Sequence, residues 1–533
     1  MFVTIRSLFL LSCILLTVAC QSPESPPVET SPVDSVSRVS SSYTPSAFEE
    51  DNRKEQLQSI APRLKELMQQ HADDRHISGV AWGMVVDDEL VVADAYGLAN
   101  REEEIPATTS SVFRIASMTK SFTAMAILKL RDEGKLSLHD PITEYIPEAK
   151  NLEYLTSDAP VMDIENLLTM TAGFPEDNPW GDRQLDEPEQ MLLDLLQQVP
   201  TFSNVPAYEY EYSNTGYAML GLIVQRVSGQ PFGEYIRENI FQPLGMNNTY
   251  WEVDRVPDDK LVIGYRWEDD EYKLEPMLHH GIYGAMGGLL TTIEDFHKYV
   301  SLHLSAWPPR SGEDDGPVKR STLREMHTPQ YARLIADATD WNDETCPAMV
   351  GYGYGLGISE NCKGTAQVSH GGALPGFGSN YKFYPKLGIG FMAFGNRTYT
   401  APWPWEEILK LVFNDLDLQP RELPVSETLA ERKEDVVKLI QDWDEPTEEQ
   451  LLAENFYLDR PKEKRREEAI NLLDSAGTIQ SVTELSPLNQ LRGSFKMQGE
   501  NGDIRIFFTL SPEPDARLQA LWLDFEGNSE SER

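Results

Sequence analysis

Apolar residues recur at helical spacing where the folded part of the chain begins. Between residues 53 and 74 they return every three or four positions, which predicts an amphipathic helix. Residues 79–97 form two β-rich runs joined at Asp87 and Asp88, which predicts a hairpin. The helical pattern returns over residues 113–130, and Gly134 is placed to end that helix. A helix, a hairpin and a buried helix in this order predict a mixed α and β fold.

The middle of the chain differs from the segments on either side of it. Helical patterns separated by Pro and Gly fill residues 152–307, and β-rich runs return over residues 352–396. Strands on both sides of a helical middle predict one sheet assembled from distant segments, with an inserted helical subdomain. After about residue 421, charged helical stretches precede strand-like runs. We therefore predict a main domain over residues 53–420 and a small α+β domain over residues 421–533.

The first 52 residues lack the pattern of a folded domain. An apolar run over residues 8–19 is too short to span a bilayer but is typical of a signal peptide, predicted here as residues 1–19. The run ends at Cys20 in a sequence that resembles the lipobox of bacterial lipoproteins, and a plain cleaved signal is the alternative. Residues 20–52, rich in Ser and Pro, predict a disordered tether. The protein is thus predicted to be exported and anchored by lipid in the outer membrane, facing the periplasm.

Charge and cysteine content limit the partners and the chemistry. The chain carries 86 acidic and 46 basic residues, and its formal net charge of -40 argues against a nucleic-acid partner. Cys13 lies in the leader and Cys20 is the predicted lipid site, which leaves Cys346 and Cys362. In an oxidising compartment a disulfide between these two closes a loop of about 15 residues, worth roughly 3 kcal/mol. Two free buried thiols are the alternative.

Ser117 stands three residues before Lys120 at the predicted start of a helix. Positions i and i+3 share a helix face, so the two side chains can touch. The helix N-terminus favours negative charge at the serine, and a buried lysine has a lowered pKa that suits a base. A second Ser-x-x-Lys begins at Ser379, but on its predicted strand the two side chains face opposite sides. For Ser117 and Lys120 the alternative is a helix cap and a solvent-facing lysine.

Two further motifs follow Ser117 along the chain. Residues 212–214 are the only Tyr-x-Asn, and residues 370–372 form a His-x-Gly before a predicted strand. With Ser-x-x-Lys, this order resembles the penicillin-recognising serine hydrolases, which include class C β-lactamases, DD-peptidases and related esterases and D-aminopeptidases. The resemblance extends over about residues 55–415 and includes LLTMTAGFP, IFQPLGM and HGGALPGFGSNY. It implies an α+β fold of the β-lactamase/transpeptidase type, with an antiparallel sheet flanked by helices.

The same resemblance implies roles for individual residues. Ser117 attacks a carbonyl to give an acyl-enzyme, while Lys120 and Tyr212 share the proton transfers. The neighbouring lysine is expected to lower the pKa of the Tyr212 phenol. The oxyanion hole is expected from the N–H groups of Ser117 and Ala373. Neither a cofactor nor a metal is implied, and the residues expected to bind substrate are Asn214, His370, Gly372 and Ala373.

Two departures from the family pattern bear on the substrate. His370 stands where class C β-lactamases carry Lys, so a fixed positive charge for a β-lactam carboxylate is missing, and Met170 stands where relatives often carry His. Both favour a peptidase or esterase over an efficient β-lactamase. Residues 279–281 also fit His-x-Gly, but His370 is preferred because it comes last in order and precedes glycines that admit a close ligand.

The sequence as a whole predicts an exported serine hydrolase. Its expected substrates are small molecules or peptides, namely an ester, a D-amino-acid peptide or a β-lactam-like amide, which acylate Ser117. The alternative is a catalytically inactive surface lipoprotein of the same fold that binds cell-wall peptides.

Overall fold

A computed structural model describes residues 40–198 and 200–527. The predicted signal peptide, the lipid site at Cys20 and the tether up to residue 39 lie outside the described residues. The strands are β1 Gly79–Val86, β2 Glu89–Asn100, β3 Ile105–Pro106, β4 Phe113–Arg114, β5 Tyr265–Glu268, β6 Glu271–Leu274, β7 Leu290–Thr291, β8 Tyr331–Ile335, β9 Ala348–Tyr352, β10 Gly357–Asn361, β11 Ala366–Leu374, β12 Phe377–Tyr384, β13 Ile389–Gly395, β14 Ile479–Val482, β15 Ser486–Asn489, β16 Arg492–Gly499, β17 Gly502–Leu510 and β18 Leu518–Gly527. The helices are α1 Arg53–Ser59, α2 Ala61–Asp74, α3 Thr119–Asp132, α4 Ile164–Leu168, α5 Asn178–Gly181, α6 Glu189–Gln197, α7 Asn214–Ser228, α8 Phe232–Ile236, α9 Gln242–Leu244, α10 Gly284–Gly287, α11 Ile293–Ser305, α12 Arg320–Met326, α13 Trp405–Asp415, α14 Glu427–Asp442, α15 Glu445–Leu451 and α16 Lys462–Ala476.

Nine strands form the central antiparallel sheet, in the order β3-β2-β1-β13-β12-β11-β10-β9-β8. Strand β1 pairs with β13 in register from Val80 opposite Gly395 to Val86 opposite Ile389. The sheet therefore joins residues 79–106 to residues 331–395, and the helices α4 to α11 lie between these segments in sequence. This is the arrangement that the sequence predicts.

Strand β1 is buried along its whole length because helices cover both faces of the sheet. Its side chains alternate between two hydrophobic cores, as the period of two in a strand requires. Ala81 and Val85 belong to the larger core, which includes residues of α3 and α11. Trp82 and Met84 belong to the smaller core, with residues of α1, α2 and α13.

Helix α3 begins later than its sequence pattern predicts. Phe113 pairs with Thr291 in the short ladder of β4 and β7, and a 3₁₀ turn over Ala116–Met118 precedes the helix. The N–H of Gly134 donates to the carbonyl of Arg131 after the helix ends. The hydrophobic pattern over residues 113–130 is therefore shared by a strand, a turn and a helix that are all buried.

The two ends of the main domain meet at one carboxylate. The Arg53 guanidinium, which is 2% exposed, lies 2.6 Å from Asp87 Oδ2, and the Arg421 guanidinium lies 2.6 Å from Asp87 Oδ1. Next to them, Ala47 and Glu422 exchange two backbone hydrogen bonds of 3.0 and 2.8 Å. Residue 47, which the sequence assigns to the tether, thus contacts the folded body.

The residues after this point form helices and a second sheet. Strands β14, β16, β17 and β18 are neighbours in that order, and β15 pairs with β16. The hydrophobic core of this C-terminal region is separate from the cores of the main domain and includes Leu439, Phe456, Met497, Ile504 and Phe508. The domain boundary at residue 421 stays a prediction.

Two further features of the described residues are a disulfide and the lack of a helix that could cross a membrane. Cys346 and Cys362, the pair left open by the sequence, are joined by a disulfide with their Cα atoms 5.2 Å apart, next to the paired strands β9 and β10. Among the residues that the structure describes, none of the helices is both long and apolar enough to cross a membrane.

Candidate active site

Ser117 lies in the 3₁₀ turn before α3, and the residue before it has an unusual backbone conformation. The preceding residue, Ala116, has a φ of 51°, a left-handed conformation that costs a non-glycine residue about 1–2 kcal/mol. The hydroxyl of Thr119 donates to the carbonyl of Ala116 at 2.7 Å and accepts from the N–H of Leu289 at 3.2 Å. Strain that the surroundings hold in place is typical of functional sites.

Lys120 is completely buried and has three polar neighbours. Its Nζ lies 3.0 Å from Ser117 Oγ, 2.7 Å from Asn214 Oδ1 and 2.9 Å from the carbonyl oxygen of Met286. The last two groups can only accept hydrogen bonds, so they take both hydrogens of a neutral amine. The lone pair of that amine then points toward the Ser117 hydroxyl.

Burial lowers the pKa of Lys120 to about 7, against the opposing pull of Asp182 and Asp177. A large share of the amine is therefore neutral at physiological pH. Both carboxylate oxygens of Asp177 already accept hydrogen bonds, from the backbone N–H groups of Asn214 and Thr215 at the start of α7. These bonds position Asn214, which in turn positions Lys120.

Tyr212 lies beside the same pair. The centre of its ring is 4.8 Å from Lys120 Nζ, and its phenol interacts with the Ser117 side chain. The expectation that lysine lowers the pKa of this phenol is wrong: burial raises the pKa of Tyr212 well above its usual range. The reason is that desolvation acts on both neighbours, and it keeps the lysine neutral and the phenol protonated.

His370 forms the opposite wall as a neutral imidazole. Its Nε2 lies 3.1 Å from the hydroxyl of Tyr352, and its Nδ1 lies 2.6 Å from the carbonyl oxygen of Gly371. Burial, with a smaller contribution from Lys120, lowers the pKa of His370 to about 4. The third motif therefore supplies no positive charge at neutral pH.

Strand β11 has one open edge where it passes Ser117. Strand β10 pairs with β11 only as far as Ser369, so residues 370–374 have β12 alone as a strand neighbour. A Cβ on Gly372 would lie 2.2 Å from the carbonyl oxygen of Ile115 and 2.4 Å from Ser379 Oγ. Only glycine permits this approach, which brings Ala373, the predicted oxyanion donor, to the turn that holds Ser117.

Gly372→Ala is expected to lower the acylation rate of Ser117 by about 10²-fold, because the added methyl group forces β11 away from the turn. Gly371→Ala is the matched control, since its Cβ would meet the side-chain amide of Asn380 at 3.2 Å and the backbone oxygen of Ser379 only at 3.9 Å, an ordinary contact. Burst kinetics with a nitrophenyl ester measure both rates. Equal rates in the two variants would contradict this account of the strand.

Neither of the two alternative motifs forms a second catalytic pair or wall, although Ser379 itself lines the cavity. Ser379 donates to the carbonyl of Ile115, whereas Lys382 Nζ lies 4.6 Å above the ring of Trp405, so the second Ser-x-x-Lys is not a pair. His279 lies 3.1 Å from Glu252 and is not among the residues that line the cavity next to Ser117.

The predicted residues surround a cavity of about 790 Å³. Ser117, Tyr212, His370, Gly372 and Ala373 all line it, and Lys120 and Asn214 lie behind Ser117. Other lining residues that the sequence did not single out for the site are Asp182, Tyr210, Arg333, Tyr352, Ser379 and Tyr399. Ser379 was visible only as part of the second Ser-x-x-Lys, and Asp182 belongs to no motif.

One group elsewhere has donor atoms close enough to hold a metal ion. Within residues 40–198 and 200–527 it consists of His139, Asp163 and Glu165, whose donor atoms lie within 4.8 Å of one another. The group is partly exposed and none of its members lines the cavity.

Comparisons with known proteins identify the family of this chain. The family model described as Beta-lactamase matches residues 64–406, more than half of the chain. The chain belongs to the beta-lactamase family. Members of this family of penicillin-recognising enzymes are generally serine hydrolases, and the sequence prediction of the family and of its α+β fold is confirmed.

Two curated relatives give the scale of the likeness. Beta-lactamase-like protein 2 of Dictyostelium discoideum is 29% identical over 283 residues, which are 51% of this chain and 50% of that protein. Protein flp of Staphylococcus aureus (strain COL) is 26% identical over 326 residues, 60% of each chain. The match thus spans between half and three fifths of these relatives.

Two solved structures share the fold. An octameric penicillin-binding protein homologue from Pyrococcus abyssi aligns with a TM-score of 0.55 and 21% identity over 87% of this chain and 98% of that one. A class C beta-lactamase in complex with cefoxitin aligns with a TM-score of 0.53 and 19% identity over 67% and 99%. At these identities the likeness concerns the fold alone.

Proposed function

We propose that this member of the beta-lactamase family is an active serine hydrolase that forms an acyl-enzyme on Ser117. The observation that carries the proposal is the environment of Lys120, whose amine has two obligate acceptors, Asn214 Oδ1 and the Met286 carbonyl, and Ser117 Oγ as its third neighbour. A buried lysine held in this way serves as a general base. A protein that only bound peptides would not need a desolvated base at its serine.

The proposed reaction begins when Lys120 takes the proton of the Ser117 hydroxyl and the oxygen attacks the substrate carbonyl. The backbone N–H groups of Ser117 and Ala373 stabilise the oxyanion, each typically worth about 3 kcal/mol in the transition state. Tyr212, a neutral phenol beside Ser117, passes a proton to the leaving group and regains one from Lys120. Water then releases the acyl group by the reverse sequence.

The neutral His370 bears on the choice of substrate. A β-lactam carboxylate gains no charge pairing from an imidazole whose pKa is about 4. We therefore favour an ester or a D-amino-acid peptide over efficient turnover of β-lactams. Parallel assays with a short nitrophenyl ester, a D-Ala-D-Ala peptide and a chromogenic cephalosporin rank the three classes.

Labelling with a fluorophosphonate tests the proposed nucleophile. The wild-type protein should gain one adduct, which peptide mass spectrometry places on Ser117, and Ser117→Ala should gain none there. An intact wild-type protein that gains no adduct, under conditions that label a known serine hydrolase of this family, would favour the inactive peptide-binding alternative instead.

The pH dependence of acylation tests the role of Lys120. Because burial lowers the pKa of Lys120 to about 7, the base form is present above that pH and is lost below it. We expect kcat/KM to fall about tenfold per pH unit below pH 7 and to be level above it. A profile that is flat between pH 5 and 7 would contradict the assignment.

We also propose that the protein is exported and anchored through a lipid on Cys20, with the domain facing the periplasm. The support is the apolar run over residues 8–19 and the small residue that precedes Cys20. Fractionation of cells that produce the wild type and Cys20→Ala tests this, since only the wild type should stay with the membrane.

A further inference from the structure

Asp182 is a buried carboxylate in the wall of the catalytic cavity that the proposed mechanism does not use. It follows the last residue of α5, is 3% exposed and lines the cavity together with Ser117. A Cβ on the preceding Gly181 would lie 2.8 Å from Asn214, so this wall packs directly against the residue that holds Lys120. Asp182 is therefore close to the reacting groups.

One oxygen of this carboxylate has no hydrogen-bond partner. Asp182 Oδ1 is buried and unpaired within the described part of the chain, while the hydroxyl of Tyr399 interacts with the side chain. Lys120 does not satisfy it, because its three polar contacts go to Ser117, Asn214 and Met286. A buried charged group that lacks a partner is costly, and such groups are normally paired.

The surrounding charges have the same sign as Asp182. Asp177 and Glu176 raise the pKa of Asp182 in addition to the larger effect of burial, and Lys120 opposes them as a cation, while Arg333 also lines the cavity. When Lys120 is neutral and acts as a base, this end of the cavity is negative. A cationic group on the substrate would compensate that charge, whereas an anionic group would be repelled.

We propose that Asp182 binds an ammonium group of the acyl donor, so that the substrates are amides or esters with a free amine close to the carbonyl that Ser117 attacks. An ammonium donates up to three hydrogen bonds and carries the charge that this wall lacks. The inference rests on the proposed function, since it names the substrate class for the same serine.

Competition for Ser117 labelling tests the inference without requiring turnover. Alaninamide, as the more potent of its two enantiomers, and propionamide have the same shape apart from the amine. We compare the concentrations of the two amides that halve the rate of fluorophosphonate labelling. In the wild type we expect this concentration to be at least about tenfold lower for alaninamide than for propionamide, as a charge-assisted hydrogen bond predicts. In Asp182→Asn the ratio of the two concentrations should fall to about one.

Glu209→Gln is the matched control. Glu209 is an exposed carboxylate that lines the same cavity, so its loss should change the ratio by less than about twofold. A ratio near one in the wild type, or an unchanged ratio in Asp182→Asn, would overturn the inference. A wild type that the fluorophosphonate does not label would instead remove the proposed function, and the inference with it.

The pH dependence of the same ratio provides a test that needs no variant. The pKa of Asp182 is raised to about 6 by burial, with Lys120, Tyr399, Asp177 and Glu176 as the charged or titratable groups that act on it. The ammonium of alaninamide loses its proton near pH 8. Because Lys120 becomes a cation below about pH 7, the preference for alaninamide should be greatest between about pH 7 and 8 and decline on both sides. A preference that persists at pH 10 would contradict an ammonium ligand.

Discussion

Lys120→Met is expected to slow the acylation of Ser117 by about 10³ to 10⁴-fold, because it removes the general base and fills the same space with an apolar chain. Both acceptors that hold the amine, Asn214 Oδ1 and the Met286 carbonyl, then lose their donor. Burst kinetics with a nitrophenyl ester measure the rate, and circular dichroism checks that the variant is folded.

Lys382→Met is the matched control for this change. Lys382 belongs to the second Ser-x-x-Lys and lies over the ring of Trp405, where burial lowers its pKa to about 8. It is thus another desolvated lysine in the same chain, but one that has no part in the cavity. We expect its loss to change acylation by less than about threefold. A near-normal rate in Lys120→Met would refute the assignment of the base.

Tyr212→Phe is expected to lower the rate by about 10³-fold, since it removes a hydroxyl that interacts with Ser117 and that, in the proposed mechanism, relays a proton to the leaving group. The loss should be smaller for an ester with a nitrophenol leaving group, which needs little protonation, than for an anilide. Comparison of the two substrates separates proton transfer from a simple loss of binding.

Tyr210→Phe is the control for the loss of a tyrosine hydroxyl. Tyr210 lines the same cavity, and its ring centre lies 5.5 Å from that of Tyr352. Its removal keeps the aromatic wall and leaves Ser117 untouched, so we expect less than a threefold change. Equal losses in the two variants would show that the wall, rather than the Tyr212 hydroxyl, matters.

Local pattern predicted the elements whose contacts are close in sequence. The hairpin of β1 and β2 turns at Asp87 and Asp88, as expected from two β-rich runs joined at two aspartates. The hydrophobic pattern places the start of α3 at Phe113, six residues too early, because Phe113 pairs with Thr291, a partner 178 positions away that no local pattern reveals. The motif at Ser117 places that start two residues too early.

The residues of the site also differ in whether the sequence alone predicts them. Ser117 and Lys120 were predictable because a helical spacing of three places them on one side, and Tyr212 and His370 because their motifs occur in the family order. The direction in which the pKa of Tyr212 shifts could not be predicted from the sequence, since the burial of the phenol depends on side chains from the whole fold. The place of Asp182 in the cavity could not be predicted either, because the packing of α5 against α7 brings it there and its sequence neighbours carry no motif.

The paired ends of the main domain have a consequence for how this protein can be rebuilt. Arg53 and Arg421 share the carboxylate of Asp87, and the backbone of residue 47 pairs with that of residue 422. The chain thus enters and leaves the main domain at one point, so that a short peptide can join the two ends. A circular permutant opened at a distant exposed loop should keep its fold, and a new module can be spliced in at this corner without threading through the sheet.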